Sequence, residues 1–338
     1  MTLFDCTPEE LTEQLIARGG QKFTARQILD WVYRKRVFDV TKMTNLSKAL
    51  RGALSDDPLF QPPLTLEEEQ VSSDGTRKYL WRLEDSDHIE SVVMDHGNHR
   101  TACISSQAGC PLACAFCATG QTGFRRNLTV GEIVAQFSLM EERIGAEIQN
   151  VVFMGMGEPL LNFDALMKAI TLLTHPHCRG LGNRHITIST SGIAAGIDAL
   201  ATSPHPNTRL CLSLHAPNDE LRTRLMPINK SNPLGKVIPA LKRWQEATGI
   251  RLTVEYVLIK NITDGPELAY ELVALLEGLK YYVNLIPYNP AVPQFARPSA
   301  SRIKPFADAL RRLGVEVEVR REKGADIDAA CGQLRAKK

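Results

Sequence analysis

The chain has 338 residues, 43% of them hydrophobic and 23% charged, with a formal net charge of +2. That composition supports a folded protein of one large domain with an appendage, or of two modest domains, and excludes a disordered or fibrous chain. No apolar run approaches the roughly 18 residues of a membrane span, and so small a net charge gives no ground for inferring a nucleic-acid binder from overall basicity.

Residues 1–13 are acidic and amphipathic, unlike a signal peptide, so the chain is expected to stay in the cytoplasm and away from membranes. Thr7-Pro8-Glu9-Glu10 and Thr24-Ala25-Arg26-Gln27 each set a threonine three residues before Glu or Gln, the capping-box pattern of a helix start. Three short helices are predicted over 8–18, 25–37 and 44–54, making a small helical domain over 1–55. From Arg18 to Arg51 this unit carries nine Lys/Arg against Asp30 and Asp39. Such a positive sector fits a phosphate footprint and fits a solvated charged face equally well. Pro58, Pro62 and Pro63 among acids mark a linker, and alternating runs at 78–83, 88–94 and 100–105 follow, separated by turn-rich segments. Residues 56–95 are therefore predicted as a linker and β-hairpin extension.

Over 96–325 strand and helix patterns alternate. Strands are predicted at 102–105, 150–154, 185–189, 209–214, 251–258 and 282–286, with helices between them, as at 130–143 behind the capping box Thr129…Glu132. Six such units point to a parallel barrel or part of one, where reactive groups gather in the loops after the C-terminal strand ends. The sequence obeys that rule. Cysteines follow the first strand, Gly155-Met156-Gly157-Glu158-Pro159 the second and Ser189-Thr190-Ser191-Gly192 the third; the fourth ends in Ser213-Leu214-His215, and the sixth runs into Pro287-Tyr288-Asn289-Pro290. Alternation along a strand puts Ser189 with Ser191, and Ser213 with His215, on one face.

The cysteines carry the most chemistry. Cys110, Cys114 and Cys117 are spaced Cys-x3-Cys-x2-Cys, enough to hold three irons of a four-iron cluster and leave the fourth iron open to a small molecule. Structural zinc needs four ligands, usually as two short pairs, and no second pair lies nearby. The other five cysteines are scattered, which suits a reducing compartment and not a disulfide framework. Cys103 lies seven residues before the motif, and Cys331 sits in Asp326-Ile-Asp-Ala-Ala-Cys-Gly-Gln-Leu334, a tail predicted over 326–338. Read singly, each is a small buried or inert thiol.

The cysteine motif with Gly155-Met156-Gly157-Glu158 resembles the radical S-adenosylmethionine (SAM) superfamily, which implies a partial (β/α)6 TIM-like barrel in the α/β class. Adding Cys103 to Cys110, Ser213 to His215 and Asp326 to Leu334, the chain from its basic helical start to its tail resembles the RlmN/Cfr family of radical SAM adenine methyltransferases. That resemblance implies one [4Fe-4S] cluster on Cys110, Cys114 and Cys117, and two SAM molecules per turnover. It implies SAM contacts at Gly157, Glu158, Ser189, Ser213, Leu214, His215 and Asn289, with Asn284 as a competitor for Asn289. It implies catalytic roles for Cys331 as methyl carrier, Cys103 as the thiol that resolves the adduct, and Glu90 as proton acceptor. The implied partners are 23S rRNA and tRNA, together with a small electron donor such as flavodoxin or ferredoxin, acting on a monomer. Adenine C2 is electron-poor and a poor nucleophile, so its methylation requires a radical route. Pro159 fits the C2 branch of the family; C8 methylation and a noncatalytic iron-sulfur RNA-binding protein are the alternatives.

Overall fold

The computed structural model describes residues 1–336, so Lys337 and Lys338, the end of the expected tail, lie outside the described residues. Its frame is a ten-stranded mixed sheet. In chain order the strands are β1 Leu64–Val71, β2 Arg77–Leu83, β3 His88–Asp95, β4 Arg100–Cys103, β5 Gln107–Gly109, β6 Phe124–Asn127, β7 Asn150–Phe153, β8 Ile186–Thr190, β9 Arg209–Ser213, β10 Leu252–Leu258, β11 Tyr281–Pro287 and β12 Val317–Val319. The six strands β4, β7, β8, β9, β10 and β11 pair in that order and all in parallel. They are the six strands expected of the partial barrel.

Helices between these strands pack their apolar faces on the outside of the sheet. Val130–Ile144 starts with the expected capping box: Thr129 accepts from the Glu132 N–H while Glu132 accepts from the Thr129 N–H. Every residue of β10 is buried, as a central parallel strand covered on both faces requires. Antiparallel β1–β3 extend the sheet beyond β4, and β12 adds a parallel strand beyond β11.

β1 occupies a stretch read from sequence as an acidic linker. Its acids are cross-strand partners: Glu69 pairs with Arg77 at 2.7 Å and Glu67 with Arg82 at 3.0 Å. In the N-terminal unit helices form at Pro8–Ile16, Thr24–Leu29 and Lys48–Leu54. The box at Thr7 forms, whereas the one at Thr24 does not. Thr24 is already inside its helix, and its hydroxyl accepts from the Gln21 N–H instead. The second helix loosens into a wider turn over Asp30–Arg34 and stops at Arg36, whose φ is +58°. Leu3, Phe4, Leu11, Ile28 and Val32 belong to the same continuous core as the barrel residues Val134, Phe137 and Met140. Of the nine basic residues, Arg18, Arg34, Lys35, Arg36 and Lys42 are held in ion pairs. Lys22, Arg26 and Lys48 stay exposed without one among the described residues.

Candidate active site

The motif cysteines lie on the loop between β5 and a short helix, Ala118–Gln121, at the C-terminal rim of the parallel strands. Gly120 lets that helix close on the loop, since a Cβ there would stand 2.8 Å from the Cys114 carbonyl oxygen and 2.9 Å from its nitrogen. The Ala115 N–H donates to the Leu225 carbonyl at 2.8 Å and ties the loop to the segment after β9. All three thiols line one cavity. Burial pushes each of them up, Cys110 to about 12, and each is also raised by the charge of neighbouring cysteines. Such thiols ionise only against an electropositive partner. Among the described residues no His, Cys, Asp or Glu group converges tightly enough for a single ion. Three separate thiols around one cavity suit a cluster in which each takes its own iron.

Opposite them stands the Gly-Glu segment after β7. Gly157 has φ +100°, and a Cβ on it would lie 2.6 Å from the Cβ of Gln107, so only glycine fits this approach. Gln107 in turn accepts from the Glu158 N–H at 2.9 Å. Glu158 is 2% exposed. Its carboxylate accepts from the Ser191 N–H at 2.8 Å and the Leu160 N–H at 3.2 Å. Burial pushes its carboxyl up to about 7 despite those bonds, which lower it. A ligand ammonium is the group that would restore its charge.

Ser189, at the end of β8, and Ser213, at the end of β9, face each other with hydroxyls 3.3 Å apart, and both line the cavity together with Ser191 and His215. His215 turns out of β9 with φ +59°. Its Nδ1 accepts from the Val257 N–H at 3.1 Å, which leaves the proton of the neutral ring on Nε2. Burial, then the charge of Arg222, holds the ring neutral by lowering it to about 3. Asn289 donates to the Cys331 carbonyl at 3.3 Å while its Oδ1, buried in the same wall, has no partner. That orphaned acceptor fits a ligand donor. Asn284, its competitor, instead donates to Glu255. The Leu214 side chain is wholly buried in the main core, its N–H donates to the Glu255 carbonyl and its carbonyl accepts from Arg222.

The tail brings Cys331 to this place. Gly332 and Leu334 carbonyls accept from the Ala118 N–H at 2.7 Å and the Thr119 hydroxyl at 2.5 Å, and Gln333 donates to the Pro290 carbonyl at 3.2 Å. The tail also closes the seam between β12 and β1–β3, where Asp326 accepts from the Ser72 hydroxyl and Gly324 donates to Asp74. Cys331 is exposed and lines both the cluster-side cavity and a larger adjoining chamber, which Cys103 also lines. Cys103 is buried; burial, then the charge of Cys331, pushes it up to about 12.

Glu90 is not with them. It lines a separate recess behind the tail, where its Oε2 accepts from the N–H groups of Arg335 at 2.7 Å and Ala336 at 3.0 Å. Its Oε1 pairs with buried Lys78 at 3.3 Å. Residue spacing could not show that the tail's own backbone would claim this carboxylate.

Three further residues went unread in the sequence. Arg222, fully buried, donates to the carbonyls of Leu214 and Ser191 and to Asn229, tying the loops after β8 and β9 together. Arg320 lies in both cavities with Glu255, and its charge lowers Cys103. A lone charge in the run 252–258, whose other residues are apolar but for Thr253 and the phenol of Tyr256, was the signal that could have found Glu255.

Comparison with known proteins agrees with this geometry. Residues 104–273 match the family described as the radical SAM superfamily, and residues 1–57 match the ribosomal RNA large subunit methyltransferase N-terminal domain. A protein of Thermosipho melanesiensis named "Probable dual-specificity RNA methyltransferase RlmN" is 48% identical over 336 residues, covering 99% of this chain and 98% of that one. One of the same name from Thermotoga neapolitana is 48% identical with the same coverage. A crystal structure of a radical SAM methyltransferase from Sphaerobacter thermophilus superposes with a TM-score of 0.96 at 46% identity, each chain covered in full.

Proposed function

The chain belongs to the RlmN family of the radical SAM superfamily, and from that premise we propose that it methylates C2 of adenine in 23S rRNA and tRNA by way of a methylated Cys331. The single observation that carries the reading is the position of Cys331, in the wall of the cluster-side cavity and of the chamber that holds Cys103 at once. Superfamily membership implies SAM and a four-iron cluster, and we assign the irons to Cys110, Cys114 and Cys117. When bound, the cluster supplies one electron to the SAM sulfonium. Glu158 would accept the ligand ammonium, and Ser189, Ser213, His215 and the free oxygen of Asn289 would orient the rest.

Cys331 has the exposure a nucleophile needs. Its thiolate would attack the methyl carbon of one SAM molecule, the new sulfur–carbon bond forming as the sulfonium's own bond to that methyl breaks and the neutral thioether leaves. Cleavage of a second SAM would supply the radical that removes one hydrogen atom from the Cys331 S-methyl group; the methylene carbon left behind would then bond to the adenine carbon, the odd electron returning to the cluster, and the RNA would be tethered to the Cys331 sulfur. Cys103 would then attack that sulfur: the sulfur–sulfur bond forms as the Cys331 sulfur–methylene bond breaks, the carbon takes the electron pair and a proton to become the methyl of the departing base, and external thiols reduce the disulfide. Glu90 would take the proton lost from the ring carbon only after Arg335 and Ala336 release its carboxylate. Exposed Lys22, Arg26 and Lys48 would neutralise RNA phosphates. The chain works in this reading as a cytoplasmic monomer supplied with electrons by a small protein such as flavodoxin or ferredoxin.

The test is anaerobic reconstitution with iron, sulfide, SAM, reductant and an RNA fragment, followed by nucleoside mass analysis against methyladenosine standards. 2-Methyladenosine is expected. 8-Methyladenosine would reassign the regiochemistry, and no SAM cleavage at all would overturn the enzymatic reading.

A further inference from the structure

Glu255 is the fourth residue of β10, 3% exposed, and stands in the wall shared by the two cavities. Its Oε1 is crowded: Asn284 Nδ2 donates at 3.1 Å, Arg320 Nη1 at 3.4 Å and the Cys211 thiol at 3.6 Å. Its Oε2 has no partner, and among the described residues it is the only buried carboxylate oxygen in that condition. The other buried acids use theirs within the protein, Glu158 on two backbone N–H groups and Glu141 on Arg179 and the Ile148 N–H. A buried acceptor left open is kept where a ligand supplies the donor.

The chemistry of that donor is narrow. A carboxylate accepts and does not donate, so the ligand must bring an N–H or O–H, and an anionic group is excluded. The larger chamber holds Glu255 together with Cys331, which carries the base in the reading above, and Cys103, which releases it. We propose that Glu255 accepts the exocyclic amine of the target adenine and so selects adenine for the radical step. The proposal rests on the methyltransferase reading above. Arg320 is the positioning residue, since by holding Oε1 it turns Oε2 to the ligand. SAM carries the same amine on its own adenosine, so the two sources must be separated by experiment.

Two RNA fragments would be compared, one with adenine and one with unsubstituted purine at the target position, which differ only in the amine. A site built to bond an N–H rejects the analogue that lacks it, and a charge-assisted bond corresponds to a preference of roughly 10- to 100-fold in kcat/KM. The wild-type protein is expected to show that preference. Glu255→Met, with Glu255→Gln as the milder variant, is expected to reduce it to a few-fold, while the Kd for SAM measured without RNA stays within twofold. Equal wild-type rates on both RNAs would overturn the proposal alone, and no methylation of either would count against the methyltransferase reading itself. A preference undiminished in a folded variant, or a loss of SAM affinity matching the loss of rate, would also overturn it, the latter by placing the amine on the cofactor.

Discussion

Replacing Glu90 by glutamine should loosen the tail that carries Cys331. In the native structure one carboxylate oxygen accepts two tail N–H groups, from Arg335 and Ala336, while the other faces Lys78. Glutamine keeps the shape and can keep its carbonyl toward the tail, but both bonds lose their charge assistance. A bond to a charged group contributes about 1.5–3 kcal/mol and a neutral one about 1, so the change costs the tail about 2 kcal/mol. The open population should therefore rise about 30-fold at 25 °C, since each 1.4 kcal/mol is a factor of ten. Hydrogen exchange read on a C-terminal peptide covering Arg335 and Ala336 measures this directly, because both amides are the bonded donors. Peptides from β10 should keep their wild-type protection. If the tail peptide exchanges at the wild-type rate in Glu90→Gln, the clasp described here does not hold the tail.

Gly157→Ala should abolish cofactor binding or folding outright, because the new Cβ would lie 2.6 Å from Gln107 at φ +100°; calorimetry with SAM and a thermal melt decide between the two. Arg222→Met leaves the carbonyls of Ser191 and Leu214 and the Asn229 oxygen without their donor. Three lost bonds to a charged group, about 1.5 kcal/mol each, partly offset by no longer burying a cation, give a loss of about 3 kcal/mol. For a chain of this size that is a drop of roughly 4 °C in Tm by scanning calorimetry; an unchanged Tm would contradict the tie between these loops. Reversing Lys22, Arg26 and Lys48 to glutamate should weaken RNA binding and flatten its dependence on salt while leaving SAM cleavage intact. RNA affinities that match wild type across a salt titration would return these lysines and the arginine to the status of a solvated face.

The barrel was readable because its strands are short, mostly apolar parallel runs ended by glycines and small polar residues, and each predicted strand of the six has its counterpart. β1 was not readable, since its acids look like a linker until Arg77 and Arg82 are placed opposite them. The capping box at Thr24 failed for a comparable reason: a hydroxyl with two nearby N–H groups can serve either, and Gln21 took it. Within the site, spacing brought out Cys110, Cys114, Cys117, Glu158, Ser189, Ser213 and His215, all of which line the cluster-side cavity. Spacing could not show that the Leu214 side chain, between Ser213 and His215, turns into the core. Nor could it place Glu90, Glu255, Arg320 and Arg222, whose partners lie dozens to hundreds of residues away or on the loops of other strands.

The division of labour between the two lone cysteines tests the central claim most directly. Cys103→Ala and Cys331→Ala would each be incubated with RNA, SAM and reductant and run on a denaturing gel. The account predicts an accumulating RNA–protein adduct in Cys103→Ala, where the tethered base has no second thiol to release it, and none in Cys331→Ala, where the carrier sulfur is missing. Normal turnover in the Cys103 variant, or an adduct in the Cys331 variant, would contradict it.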